Sequence, residues 1–184
     1  MNDIGRRIGN TDLAIIVGDI TRRGTEAVVN AANSSLTGGG GVDGAIHRAG
    51  GPAILAACRD YVRAHGPLPP GEAMWTPGGD LPARIVIHTV GPIYRDRAHS
   101  SPILARAYTA SLELAESLGV SSLAFPLIST GAYGYPIDEA AGVAVRAVAE
   151  YLRTGSALCH VELVCFTAGV HAAFARALQA ALHD

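Results

Sequence analysis

Short apolar runs alternate with helical patterns along nearly the whole chain, and this alternation restricts the fold more than any other feature. Six runs predict strands, at residues 13–17, 27–30, 73–76, 84–90, 122–127 and 161–166. Helical spacing predicts helices at residues 42–49, 52–64, 103–118, 138–152 and 170–182. The strands are continuous apolar runs, which is typical of a sheet covered on both faces. We therefore predict a three-layer α/β/α domain.

Length and charge limit the organisation of the chain and its partners. The 184 residues suit a single domain over 1–184, with a core from about 11 to 183 and a short extension at 1–10. A net charge of −2 argues against long nucleic acid as a partner, because such binders need a basic face. All 14 basic residues are arginine, so no lysine is present to form a Schiff base or a Walker-type phosphate contact.

Cysteine usage and hydropathy indicate the compartment. The three cysteines, at positions 58, 159 and 165, show no paired spacing, which argues against a disulfide framework. The first ten residues lack an apolar signal core, and no run approaches the ~20 apolar residues of a membrane span. We expect a soluble, cytoplasmic protein that does not engage membranes.

Two glycine-rich loops follow predicted strands and precede predicted helices, at residues 38–41 and 129–134. In sheets of this kind, ligands bind outside the carboxyl ends of the strands. Glycine lets the backbone approach an anion, and a helix N-terminus offers free N–H groups. Two such loops suit a diphosphate, held by backbone donors without lysine.

A dinucleotide fingerprint is also present but stands in the wrong context. Gly39, Gly41 and Gly44 satisfy G-x-G-x-x-G. The fingerprint should follow its strand directly, whereas residues 33–37 intervene here. No acidic residue lies at the expected offset of ~20 residues in a second strand. A redox Rossmann domain is therefore disfavoured.

Five motifs, in order along the chain, resemble those of MacroD-type macrodomains. They are Gly-Asp-Ile-Thr at 18–21, Asn-Ala-Ala-Asn at 30–33, the glycine run through His47 at 38–47, Val-Ile-His-Thr-Val-Gly-Pro at 86–92, and Phe-Pro-Leu-Ile-Ser-Thr-Gly at 125–131. The resemblance covers the chain from about residue 13 to its end. It implies a six-stranded mixed sheet between helical layers, with an ADP-ribose cleft across the top of the sheet.

The resemblance also implies roles for individual residues. Asp19 and the Ile20 backbone would hold adenine, Asn33 would orient the terminal ribose, and Asp43 would act on a water near the anomeric carbon. Asn33 and Asp43 form the expected catalytic pair. The remaining ligand contacts would come from Gly40, Gly41, Val42, Ser129, Thr130, Gly131, Ala132, Tyr133 and Phe166, with Tyr133 and Val42 closing over the ribose.

Each role has a structural alternative. Asp19 could form a turn or a cap, Asn33 an Asx-turn, and Asp43 a helix N-cap. Phe166 could simply belong to the core. We assign Asn30 to bracing the loop and leave it outside the catalytic set.

The chemistry around Asp43 needs no metal or cofactor. A helix N-terminus stabilises the ionised carboxylate, which is then a weak base, so we expect Asp43 to position the water while a substrate phosphate oxygen helps to activate it. His47 lies one turn further and could contact Asp43, although a local hydrogen-bonding role is favoured over a dyad. His88 is expected to be a satisfied buried histidine and Cys58 a core residue. The histidines and cysteines show no zinc-ligand spacing, and no G-x-S-x-G elbow is present.

We therefore expect a metal-independent hydrolase that removes mono-ADP-ribose from Asp or Glu side chains and deacetylates O-acetyl-ADP-ribose. Its partners would be ADP-ribose, mono-ADP-ribosylated proteins and O-acetyl-ADP-ribose, and we expect a monomer. Two other functions stay open: an ADP-ribose reader without activity, and an ADP-ribose-1″-phosphate phosphatase or a variant acting on RNA-linked ADP-ribose. A reader needs the phosphate loops but not the carboxylate, and the intact glycine–Val–Asp–Gly loop favours the enzyme.

Overall fold

A computed structural model describes residues 3–181; the first two residues of the expected extension and the predicted helix end at Leu182 lie outside the described residues. The strands are β1 (Ile4–Ile8), β2 (Thr11–Val17), β3 (Ala27–Ala31), β4 (Ala73–Pro77), β5 (Ile85–Thr89), β6 (Ser122–Phe125) and β7 (His160–Cys165). The helices are α1 (Gly41–Gly50), α2 (Pro52–His65), α3 (Arg97–Ser117), α4 (Ile137–Arg153) and α5 (Ala168–Ala181), with a 3₁₀ turn at Ile20–Arg22.

The strands form one mixed sheet in the order β1-β2-β7-β6-β3-β5-β4. The five central strands are parallel, and the edge strands β1 and β4 pair antiparallel with β2 and β5. The α/β class is confirmed, but the expectation of six strands was wrong, since the sheet has seven. The additional strand is β1, which lies within the expected N-terminal extension. Its sequence is half polar because an outer edge strand buries little of its surface.

Two apolar layers cover the sheet. On one face α3, α4 and α5 pack over the larger core, which includes Leu13, Val29 and Phe125. On the other face α1, α2 and the 3₁₀ turn cover a smaller core around Val28 and Val86. Because successive side chains in a strand point to opposite faces, Asn30 lies on the same face as Val28.

Helix α3 begins six residues before the predicted helix at 103–118. Its N-cap is Asp96, whose carboxylate accepts from the His99 backbone N–H at 2.9 Å. The first turns are polar and contain Pro102, so hydrophobic spacing did not reveal them. Within residues 3–181, no helix combines the length and the apolar character that crossing a membrane requires.

Candidate active site

The predicted ligand residues follow the carboxyl ends of four adjacent parallel strands, which all lie at the same end of the strands. Asp19 follows β2, Phe166 follows β7, Ser129 lies beyond β6 and Asn33 follows β3. The four strands are neighbours in the order β2-β7-β6-β3, so these residues form a row of about 14 Å, three strand spacings. An elongated ligand along this row would have one end at Asp19 and the other beside Asn33.

The first glycine-rich loop ends at the N-terminus of α1. Gly40 is the N-cap, and Gly41 has φ +56°, a left-handed conformation that favours glycine. Asp43 is therefore the third helical residue rather than the N-cap, and the capping alternative was wrong. The first N–H groups of any helix lack acceptors within it. Those of Gly41 and Val42 remain available to an anion.

Asp43 is a buried carboxylate with two differently placed oxygens; the residue is 6 % exposed. Its Oδ1 accepts from Asn30 Nδ2 at 2.7 Å and lies 3.3 Å from His47 Nε2. Its Oδ2 lies beside Gly39, and has no hydrogen-bond partner in the part of the chain that the structure describes. One oxygen thus fixes the carboxylate while the other is left without a partner from these residues.

Asn30 was expected to brace the loop from outside the catalytic pair, and it bonds to a residue just after the glycines rather than to the glycines themselves. Its Nδ2 bonds to Asp43 and lies 3.1 Å from His88 Nδ1. Asn30 and His88 are register partners on the parallel strands β3 and β5. The available signal was a polar residue near the end of each of two apolar strands, but only the register shows that the two meet.

Asn33 bonds to the first glycine-rich loop itself. Its Nδ2 donates to the Gly38 carbonyl at 2.8 Å, and its Oδ1 accepts from the Ser35 hydroxyl at 2.9 Å. Among the described residues Asn33 does not form an Asx-turn, because the backbone N–H that reaches its Oδ1 is that of Thr37, at 3.3 Å, and not that of Ser35. Its Nδ2 and Oδ2 of Asp43 both lie within 4 Å of the position that a Cβ on Gly39 would take. A role toward the terminal ribose stays a prediction.

Asp19 likewise makes the local bonds of a cap. Its Oδ1 accepts from the backbone N–H of Thr21 at 2.9 Å and from the Thr21 hydroxyl at 2.7 Å. These bonds lower the pKa of Asp19 below its ordinary value. Its Oδ2 accepts none of the bonds formed within residues 3–181, so capping and a ligand contact are compatible. The Ile20 side chain is buried, which leaves only its backbone for the cleft.

The second loop follows β6 and contains a non-glycine residue in the left-handed conformation. Ser129 has φ +68° and is buried, and its hydroxyl has no hydrogen-bond partner among the described residues. The loop closes on itself through Tyr135 N–H donating to the Ser129 carbonyl at 3.0 Å. Within residues 3–181, no acceptor is present for the N–H groups of Thr130, Gly131, Ala132 and Tyr133. The two loops therefore present backbone donors from neighbouring strands.

Phe166 lies beyond the end of β7 and is 84 % exposed. The alternative that it belongs to the core was therefore wrong. Val17, the last residue of β2, is also exposed at 40 % and pairs in register with Cys165. An exposed phenyl ring just after the end of β7 suits a flat apolar ligand group. Val42 and Tyr133, expected to close over the ribose, are each partly buried.

His47, Cys58 and His88 each offer a ligand atom within 4.8 Å of the others. The sequence spacing did not reveal this cluster. His88 is the expected satisfied histidine, since Nδ1 lies 3.1 Å from Asn30 and Nε2 lies 3.0 Å from the Thr76 hydroxyl. Burial raises the pKa of the Cys58 thiol to about 11. Both imidazole nitrogens of His88 are engaged in hydrogen bonds, so a metal ion in this cluster would have to displace one of them.

One known protein family matches most of this sequence. The profile of the family described as Macro domain matches residues 29–144, which includes both glycine-rich loops, Asn33 and Asp43. The chain belongs to the macrodomain family. The resemblance inferred from its five motifs is confirmed.

Curated relatives of this macrodomain match along nearly its whole length. An O-acetyl-ADP-ribose deacetylase of Klebsiella pneumoniae is 52 % identical over 166 residues, covering 89 % of this chain and 94 % of the relative. A macro domain-containing protein of Streptomyces coelicolor is 51 % identical over 170 residues, covering 91 % and 99 %.

Solved structures show the same macrodomain architecture. The Oceanobacillus iheyensis macrodomain with MES bound has a TM-score of 0.95 and 41 % identity, covering 99 % of this chain and 98 % of the other. A mutant of that protein with ADPR also has a TM-score of 0.95, at 40 % identity and full coverage of both chains. The Trypanosoma brucei macrodomain in complex with ADP-ribose has a TM-score of 0.82 at 37 % identity, covering 89 % and 68 %.

Proposed function

We propose that this macrodomain binds ADP-ribose along the row of strand ends and hydrolyses acyl esters of its terminal ribose. The substrates would be O-acetyl-ADP-ribose and mono-ADP-ribose esterified to Asp or Glu side chains. Relatives about 50 % identical carry the name O-acetyl-ADP-ribose deacetylase, and related structures hold ADP-ribose. Each reaction consumes one water and releases ADP-ribose and a carboxylic acid.

The diphosphate would bind between the two loops. The free N–H groups of Thr130 to Tyr133 approach from one side, and those at the start of α1 from the other. Such donors and the dipole of α1 stabilise an anion. The exposed Phe166 and Asp19 would take the adenosine end, which places the terminal ribose beside Asn33.

The orientation of Asp43 is the observation that favours an enzyme over a reader. A module that only binds needs the loops, but it has no need for a buried carboxylate held by Asn30 with one oxygen free. In our proposal Oδ2 accepts a hydrogen bond from water and aligns that water with the ester. A phosphate oxygen of the substrate helps to take the proton as the water attacks.

The test compares Asp43→Asn with wild type on both esters, following release of ADP-ribose or acetate. Removing base assistance typically costs ~10²–10⁴ in rate, so we expect a loss in that range with ADP-ribose affinity, measured by calorimetry, within about threefold of wild type. Asp138→Asn is the matched control. Asp138 lies in the first turn of α4 after the other loop, is exposed and pairs with Arg176 at 2.5 Å.

Two outcomes would contradict the proposal. Turnover by Asp43→Asn within about threefold of wild type would remove the role of Asp43. Binding without release of either ester by wild type would make this macrodomain a reader. Release of phosphate from ADP-ribose-1″-phosphate by a wild type inactive on both esters would favour the phosphatase.

A further inference from the structure

Behind Asp43 a line of polar side chains runs through the smaller core, away from the cleft. Asn30, His88 and Thr76 are at most 1 % exposed. They come from the three strands β3, β5 and β4, which lie side by side at one end of the sheet. We call these three residues the buried polar chain. Polar groups are costly inside a core unless they are paired, so three in contact need a reason.

The direction of each hydrogen bond follows from the chemistry of the groups. The Asp43 carboxylate can only accept, so the Asn30 group 2.7 Å from Oδ1 is the donating Nδ2. The second hydrogen of this amide points to His88 Nδ1 at 3.1 Å, which must therefore be unprotonated. A neutral imidazole then carries its proton on Nε2, which donates to the Thr76 hydroxyl at 3.0 Å. The hydroxyl donates onward to the Pro77 carbonyl at 3.1 Å.

The environment keeps His88 in this neutral form. Burial and the neighbouring His47 lower the pKa of His88 to about 3. The two rings lie 6.1 Å apart, measured between their centroids. Cys58, the other titratable group against His88, has its Sγ 3.8 Å from Nε2 and is a protonated thiol. The direction of each hydrogen bond is thus fixed at neutral pH. Asn30 donates to both Asp43 and His88, His88 donates to Thr76, and Thr76 donates to the Pro77 carbonyl.

We propose that Thr76, His88 and Asn30 act as positioning residues for Asp43. Thr76 fixes the His88 tautomer, His88 fixes the amide orientation of Asn30, and Asn30 holds Oδ1 so that Oδ2 faces the cleft. This inference rests on the proposed function, because it assigns the chain a purpose in Asp43-dependent hydrolysis. None of the three residues touches the substrate.

The experiment removes the hydroxyl group of Thr76, the member of the buried polar chain that lies furthest from Asp43. Thr76→Val keeps the shape of the side chain but removes the acceptor for His88 Nε2–H, whereas Thr76→Ser keeps the hydroxyl. Thr11→Val is the matched control, since Thr11 is also fully buried and donates to the Leu158 carbonyl at 2.7 Å at the opposite end of the sheet. Each variant is measured for kcat on O-acetyl-ADP-ribose, for ADP-ribose affinity and for melting temperature.

We expect Thr76→Val to lower kcat about five- to tenfold, as loss of one orienting hydrogen bond implies. ADP-ribose affinity should stay within about twofold, and Thr76→Ser should restore kcat. Thr11→Val should lose thermal stability without losing kcat. The ¹⁵N spectrum of the His88 ring should show a proton on Nε2 alone in wild type at pH 7, and a changed tautomer ratio in Thr76→Val.

The possible failures are distinguishable. If wild type hydrolyses the ester and Asp43→Asn does not, but Thr76→Val behaves like Thr11→Val, the positioning role is overturned and the proposed function stands. A wild-type His88 protonated on Nδ1 would overturn the donors and acceptors assigned within the buried polar chain. If wild type releases no product, the proposed function fails and the positioning role falls with it.

Discussion

Gly91 and Ser129 pack so closely that a Cβ on Gly91 would overlap the Ser129 hydroxyl oxygen. Gly91 follows β5 within the Val-Gly-Pro motif, and Ser129 opens the second loop of the cleft. The same Cβ would also overlap a methyl of Ile128. The left-handed Ser129 therefore packs directly against Gly91, a position where no side chain fits.

Gly91→Ala should displace the second loop. Overpacking a dense site costs ~1–3 kcal/mol, so we expect destabilisation in that range and at least a tenfold loss of ADP-ribose affinity, measured by denaturation and calorimetry. Gly142→Ala in α4 is the control, because only the end of Arg146, at 3.8 Å, lies near its added Cβ. Adding Ser129→Gly should recover part of the loss. Unchanged affinity in Gly91→Ala would show that the loop tolerates the displacement.

Ser129→Gly alone should stabilise the fold. A non-glycine residue at φ +68° costs ~1–2 kcal/mol, and the unpaired buried hydroxyl adds to that cost. Against this, glycine loses about 0.5–1 kcal/mol through greater freedom in the unfolded chain. We expect a net gain of about 0.5 kcal/mol, measured by chemical denaturation. Ala132→Gly, in the same loop at an ordinary φ, should instead lose stability, and a similar loss in Ser129→Gly would contradict the strain.

His88 should make stability depend on pH below neutrality. Its pKa falls from an ordinary value near 6.5 to about 3 in the fold, so between these values the unfolded chain binds one more proton than the native protein. Stability must therefore fall as pH drops from about 6.5, by up to ~1.4 kcal/mol per pH unit. Denaturation between pH 5 and 6.5 should show this slope in wild type and a reduced slope in His88→Gln. His65→Gln, at an exposed position, should keep the wild-type slope.

Turnover should not depend on a metal ion. The buried polar chain uses both nitrogens of His88, so a metal ion at the His47–Cys58–His88 cluster would have to displace one of these hydrogen bonds. After dialysis against EDTA we expect deacetylation within about twofold of the untreated rate. Stoichiometric Zn²⁺ should leave the melting temperature unchanged. Chelation that abolishes activity, restored by Zn²⁺ in wild type but not in Cys58→Ser, would contradict this.

The sequence was sufficient for the layers, the alternation and both glycine-rich loops, because those follow from local patterns. It missed β1, whose residues are mostly exposed at the sheet edge, and the polar first turns of α3. Local hydrophobic spacing carries no signal for either. The five motifs identified the family because each includes a loop that follows a strand, where the residue types are restricted by the backbone geometry.

The contacts of Asp43 could not be predicted in the same way. Asn30 is 13 residues from Asp43 and 58 from His88, and the side chains meet only through the register of β3 and β5. Asn30 and Asn33 belong to one short motif and are chemically identical, yet their positions relative to the end of β3 give them different partners. Only the end of the strand, at Ala31, separates the asparagine of the buried polar chain from the one that braces the loop.

The free donors of the cleft belong to the main chain, which every residue type except proline supplies. In the second loop, changing Thr130 or Ala132 to another side chain would leave the N–H groups in place. Side-chain substitutions can therefore change the surface around these loops while the backbone donors that we propose for the diphosphate persist. Introducing proline at these positions is the substitution that would abolish a donor outright.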